Sequence, residues 1–195
     1  MKAFKFAFLL AAAAILTGCA HNVTIAPALT VIERPADAKA KHPINVGYYI
    51  PESLRAQQVT TPGGGGDKVT SVPYRDIEPG LYKMLSNVFN GVTSLKNPAD
   101  QEAIAKNGIS LVITPQITPN SSSSSMLTWP PTDFSIELQC TIADATGKVI
   151  DTRKVTGTGQ ADFAAFKSEL GLSGRLAAQD ALLKMQASLL EAKLP

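Results

Sequence analysis

Three stretches of this 195-residue sequence predict an α+β fold: a mixed, mainly antiparallel sheet with two or three helices packed on one face. Phe134, Ile136, Leu138, Cys140 and Ile142 alternate with Ser135, Glu137, Gln139 and Thr141, which gives a strand with one buried and one wet face. Ile77, Leu81, Leu85, Val88 and Val92 recur at helical spacing and form one apolar stripe. Residues 98–114 read as a short helix, an Asn107-Gly108 stop and an apolar strand, the usual order in an α/β layer.

The other elements follow in chain order. Residues 20–42 read as a tether with one extended piece, because Val23, Ile25, Leu29 and Val31 keep one parity across Pro27. A flexible segment of this length spans roughly 25 Å. Ile44 to Ile50 is rich in β-branched and aromatic residues and stops at Pro51, so it is the first firm strand. Gly63 to Gly66 makes a loop, and a second strand begins at Val69. The first long helix is expected over residues 78–92, capped by Asp76 or Glu78, with Pro79 in its first turn. Residues 92–95 can turn into a short strand. Asn97 caps the next helix, and Gly108 suits its left-handed end. The strand from Ile109 to Thr114 is apolar enough to be covered on both faces. A serine run from Asn120 to Ser125 and Trp129-Pro130-Pro131 make a loop. Asp144 to Lys148 turns the chain into a partner strand over 149–158, whose far end Gly157 and Gly159 loosen. A short amphipathic piece over 163–170 precedes the last helix, over 173–192. Ser173 is its expected cap, and Leu172, Leu176, Leu183 and Leu190 form its stripe, reinforced by Leu182 and Leu189.

The N-terminus carries an address. Lys2 and Lys5 precede a run of about 11 apolar residues, short of the roughly 20 that span a bilayer. The run closes on Leu16-Thr17-Gly18-Cys19, which resembles the lipobox of bacterial lipoproteins. The resemblance implies that residues 1–18 are a signal peptide cut between Gly18 and Cys19. It also implies that the Cys19 thiol carries diacylglycerol and that its new amine carries a further chain such as palmitate. Several chains make an anchor effectively permanent, at about 0.8 kcal/mol per buried methylene. Ala20 stands where an aspartate would favour inner-membrane retention, so the implied location is the periplasmic face of the outer membrane of a Gram-negative cell. Residues 19–42 are then the lipidated N-terminus and tether, and residues 43–195 a single periplasmic domain. The order of elements, with the closing alanine- and leucine-rich helix, is similar to that of the YajG-like group of small α+β lipoproteins. That group brings an expectation of fold and little of function.

Composition narrows the partners. The chain has 18 basic and 16 acidic residues, and the signal removes Lys2 and Lys5, leaving 16 of each. A neutral body without a basic run gives no footprint for nucleic acid. With Cys19 acylated, Cys140 stands alone and no internal disulfide can form. Its parity with Phe134 to Ile142 makes it a small hydrophobe rather than a redox thiol.

Candidate chemistry is sparse. Counted from Gly63, a phosphate loop would need glycine where Lys68 stands, and Val69 follows, so the tetraglycine reads as a flexible loop. His21 and His42 are the only histidines, both in the tether reading, with no zinc-ligand spacing and no base for a serine nucleophile. Asp133, Glu137, Asp144 and Asp151 are read as solvated strand-face charges. No catalytic residue, metal or cofactor is therefore expected. Trp129 is open to two readings, stacking on a sugar or protein or pinning its loop to the body. Tyr48 and Tyr49 point to opposite faces of one strand, so one of them is available for contact.

The expectation is a non-enzymatic, lipid-anchored periplasmic domain that serves envelope assembly or maintenance through an envelope protein partner. Its contact surfaces would be the loops at 63–68 and 121–131. The alternative is a lipoprotein that binds a glycan, a peptidoglycan fragment or a lipid, with Trp129 and a tyrosine lining the site.

Overall fold

The computed structural model describes residues 20–124, 130–166 and 169–195. The first half contains β1 (Ala20–Asn22), a 3-10 turn (Leu29–Val31), β2 (His42–Tyr49), α1 (Glu52–Arg55), β3 (Val59–Pro62), β4 (Lys68–Ser71) and α2 (Pro73–Val88). The second contains β5 (Phe89–Leu95), α3 (Gln101–Lys106), β6 (Ile109–Ser122), β7 (Asp133–Asp144), β8 (Val149–Gln160), α4 (Phe163–Phe166) and α5 (Leu172–Leu190).

The fold is α+β. Five strands in the order β5-β2-β6-β7-β8 make the main sheet, with β2 parallel to β5 and β6 and the longer β6-β7-β8 ladders antiparallel. A smaller sheet, β1-β4-β3, stands beside it. The buried parity of β7 is the predicted one: Phe134, Ile136, Leu138, Cys140 and Ile142 enter the core shared with α2 and α5. The opposite face is covered at one end by α3, where Leu95, Ile104, Ile109 and Val112 form a separate small cluster.

Several boundaries move for identifiable reasons. Helix α2 opens at Pro73 rather than near Glu78; Pro73 occupies the first turn, and Pro79 lies inside the helix. The stripe Ile77, Leu81, Leu85 and Val88 is buried as expected, but Phe89 already belongs to β5. Asp100, not Asn97, caps α3 by accepting the amide of Ala103 at 2.9 Å. Gly108 takes the expected left-handed conformation, φ 57°.

Strand β6 runs on to Ser122, through Pro115 and Pro119 and into the serine run. Its pairing with β2 ends at Ile113, so its next amides on that side have no strand to meet. Pro115 and Pro119 have no amide to leave unpaired, and the amide of Ile117 between them donates to the Tyr74 hydroxyl at 3.2 Å. The prolines therefore fit a half-open edge rather than ending the strand. Gly63 to Asp67 is likewise a tight turn between β3 and β4, closed by Gly63 N to Asp67 O at 2.9 Å, with Gly65 and Gly66 at positive φ.

The last helix buries only part of the predicted leucine set: Leu182, Leu189 and Leu190 are buried, while Leu172 and Leu176 are half-buried. Ala177, Ala178, Ala181, Leu182, Met185, Leu189 and Leu190 face the core, and Leu183 is exposed. Gly171 precedes the helix, while Ser173 is fully buried inside it and donates to Pro131 O at 2.8 Å. Gly157 and Gly159 do not loosen β8. They are where the helix backbone seats on the strand: a Cβ at Gly157 would lie 2.2 Å from Ala181 N, and one at Gly159 2.1 Å from Ser173 O. Along the outer rim of β8, Asp180 accepts the amide of Thr158 at 2.8 Å, and Lys184 donates to Thr156 O at 3.0 Å.

Residues 20–42 are not a free tether. Ile25 and Ile32 are 0% exposed and belong to the main core, with Val23 beside them. The backbone of this segment is bonded by side chains from both long helices. Asp76 accepts the amide of Ile25 (3.2 Å), Asn87 donates to Ile32 O (3.0 Å), and Gln186 donates to Glu33 O (2.9 Å). Gln186 is itself buried and accepts from Asn87 at 2.8 Å. Gly80 of α2 and Gly174 of α5 leave room for the chain, since a Cβ at either would press on Ile32 and Pro27 or on Ile25. The histidines are held too: His21 Nε2 lies 3.3 Å from Asp67, and His42 Nε2 2.9 Å from Leu189 O.

Candidate functional site

A polar constellation gathers where β2, α1 and α2 meet. Tyr48 leaves β2 on the core side and donates to Glu78 Oε1 at 3.0 Å. Arg55 of α1 grips the same carboxylate with both arms, Nε to Oε2 at 2.9 Å and Nη2 to Oε1 at 2.8 Å. Tyr82, one turn after Glu78 on α2, meets the Tyr48 ring edge-on at a centroid distance of 6.4 Å. A shallow cavity of about 470 Å³ opens above them, lined by Leu29, Tyr48, Pro79 and Tyr82, with Arg75 and Lys83 at its margin. Leu29 and Tyr82 are 46% and 47% exposed, so apolar surface opens onto this cavity.

The electrostatics of the group are settled at neutral pH. Hydrogen bonding from Arg55 holds the Glu78 carboxyl below its ordinary range, and Tyr48 adds to this. The bond to Glu78 holds Arg55 firmly protonated. Burial raises the Tyr48 phenol. All three groups rest in their ordinary charge states, and Glu78 has its oxygens occupied, so the cluster fixes α1 to α2 across the end of β2 rather than offering a proton-transfer group. A group with a lowered folded pKa stabilises the fold above its unfolded value, near 4.3 for glutamate, and that contribution fades as pH falls toward the folded value. Glu78→Gln is therefore expected to cost about 1 kcal/mol at pH 7, the Arg55 guanidinium being partly screened by water. Urea unfolding from pH 7 to pH 3 should show the gap between variant and wild type closing on the acid side. A gap that stayed constant would remove the carboxylate charge from the account.

The sequence-predicted residues fall apart spatially. Gly18, Cys19 and Trp129 lie outside the described residues. Tyr48 joins the constellation, whereas Tyr49 is half-buried on the opposite face, against the small cluster under α3. The loop expected over 121–131 meets, at its described end, the strand that leads into the 63–68 turn: Ser121 Oγ donates toward Thr61 Oγ1 (2.6 Å) and Pro62 O (2.5 Å), joining the end of β6 to β3. Cys140 is fully buried, which pushes its thiol up to about 12, and it packs as the small hydrophobe the alternation implied. The strand carboxylates have separate partners: Glu137 meets Lys154 at 2.8 Å, Asp151 meets Arg153 at 2.6 Å, and Asp133 accepts from Gln160 at 2.9 Å. Asp144 closes its own turn, where the Thr146 hydroxyl holds its carboxyl below the ordinary range. No group of three or more His, Cys, Asp or Glu side chains suited to a metal occurs among the described residues. Sequence reasoning missed Glu78, Arg55 and Tyr82; the available signal was Glu78 and Tyr82 spaced one turn apart beside the apolar stripe.

A second concavity lies between α5 and the chain after the 3-10 turn. Pro35, Ala38, Leu183, Ala187 and Leu190 line a mainly apolar cavity of about 550 Å³.

Several solved structures align with this chain at low identity. A Xanthomonas campestris protein carrying the DUF330 family description aligns over 88% of this chain and 94% of its own, with 11% identity and a TM-score of 0.49. The PelC dodecamer from Paraburkholderia phytofirmans aligns over 80% and 93%, with 12% identity and a TM-score of 0.49. A minor lipoprotein from Acinetobacter baumannii aligns over 80% and 97%, with 16% identity and a TM-score of 0.45. No family model matches the chain, and no curated protein does. Likeness at this level assigns no function.

Proposed function

We propose that this chain is a lipoprotein of the outer membrane, held at its periplasmic face through acylated Cys19, and that its body acts in the envelope by protein contact rather than catalysis. The observation that carries the anchor is the basic start, short apolar run and Leu16-Thr17-Gly18-Cys19 box. No helix among the described residues is long and apolar enough to cross a membrane. The YajG-like resemblance fits the same reading. The contact reading is supported by Leu29 and Tyr82, which present apolar surface over a fixed polar base.

Two variants test these parts separately. Cys19→Ser should abolish acyl mass and leave an uncleaved or soluble product that no longer fractionates with the outer membrane; unchanged fractionation would sink the anchor. Leu29→Ser combined with Tyr82→Ala should keep both acylation and fractionation but lose the protein partner cross-linked from Lys83 in intact envelopes. Retention of that partner at wild-type yield would remove this surface from the account. A ligand-binding reading has one observation in its favour, the apolar cavity beside Leu183 and Leu190, whose volume suits a small molecule.

A further inference from the structure

We infer that the pole of the molecule formed by the β3–β4 turn and the end of β6 lies against the lipid headgroups, with the β7–β8 turn directed away from them. This rests on acylation at Cys19.

Covalent connectivity and strand register supply the argument. Ala20 is the first residue of β1, and its register partner is Lys68, the first residue of β4. Cys19 precedes it by a single Cα–Cα step of about 3.8 Å. Because β1 and β4 are parallel, the turn that ends at Asp67 sits at the same end as Ala20. The strand cannot peel away to lengthen the leash without cost. Val23 N donates to Thr70 O at 2.9 Å, His21 lies 3.3 Å from Asp67, and Val23 and Ile25 are buried. An anchor at Cys19 thus draws this pole to the membrane with no spacer between.

The rest of the pole suits that position. Ser121 ties the end of β6 to Thr61 and Pro62 O, so the tip of β6 shares this pole. The surface there is built from Thr60, Gly63, Gly66 and Ser122, with Asp67 already engaged by His21 and Lys68 as its cation. Small and hydroxyl-bearing groups lose little when apposed to headgroups, and one lysine adds a modest attraction to anionic lipid. The far end is set by β7. Ser122 pairs with Asp133, and the strand then runs through twelve residues to Asp144, placing the Asp144–Lys148 turn roughly 35 Å or more away.

The test uses the lipidated full-length product in vesicles of phosphatidylethanolamine and phosphatidylglycerol that contain a headgroup-attached nitroxide quencher. A fluorophore is placed at Ser122→Cys or at Lys148→Cys, two exposed positions, while Cys140 is buried. With acyl mass confirmed on both proteins, quenching should be about threefold or more stronger at position 122, given the separation along β7. Equal quenching, or stronger quenching at 148, on acylated, vesicle-bound protein would overturn the orientation and leave the anchor standing. Absence of acyl mass on Cys19 would overturn the anchor and this inference together.

Discussion

Alanine at Ile25 is expected to lower the free energy of unfolding by about 2–5 kcal/mol, the range for removing a fully buried aliphatic side chain. The residue lies 51 positions from Asp76, which accepts its amide, and its side chain fills the space left by Gly174. Urea titration of the wild type and of Ile25→Ala, both in a Cys19→Ser background, measures the difference. Leu29→Ala is the matched control: its side chain is 46% exposed, so a change within about 0.5 kcal/mol is expected. If the two variants behaved alike, residues 20–32 would be a leash after all. A large cost at Ile25 alone would show that any truncation through this segment removes part of the core and several backbone hydrogen bonds with it.

The second large effect is expected at Gly159, where alanine should cost about 3 kcal/mol, the upper end for overpacking. The added methyl would sit 2.1 Å from Ser173 O and 2.5 Å from Ala177 N, both backbone atoms that cannot rotate away. Its φ is not among the positive values, so the penalty comes from the approach of α5 rather than from local strain. Gly147→Ala makes the contrast: that turn glycine has φ 90° and open space around it, so only conformational strain of about 1 kcal/mol is expected. The same denaturation series separates the two mechanisms. A cost below about 1 kcal/mol at Gly159 would mean that the helix does not rest on the strand.

These two residues mark the border of what could be read from the chain. Strand β7 was legible because its alternation is a local property with period two, and the stripe of α2 because its period is 3.6. The start of α2 was misplaced because two prolines compete for the first turn, and only the fold reveals that Pro73 takes it. Helix α5 spreads polar residues such as Arg175, Asp180, Lys184 and Gln186 around its circumference, so its leucines do not indicate a face; Gly157 and Gly159, on another element, select its alanines. The extended parity of Val23 and Ile25 was visible, but their burial depends on Asp76, Asn87 and Gln186, which are remote in sequence. The Tyr48–Arg55–Glu78 group was hidden for the same reason. A tyrosine on a strand and a glutamate on a helix carry no mark of their meeting.

The pairing of Asp180 and Lys184 with the rim of β8 has a consequence for colloidal behaviour. An open strand edge is a template on which a neighbouring chain can add its own strand. Here one ion pair on α5 occupies both an outward amide and an outward carbonyl of the β8 edge, at Thr158 and Thr156. The helix thereby blocks strand addition along that half of the rim. The stretch nearer Val149 instead carries charged side chains, Asp151, Arg153 and Lys154, held in the Asp151–Arg153 ion pair and in one between Lys154 and Glu137 of β7. Resistance to strand addition at Thr156 and Thr158 thus rests on two side chains that lie outside the core.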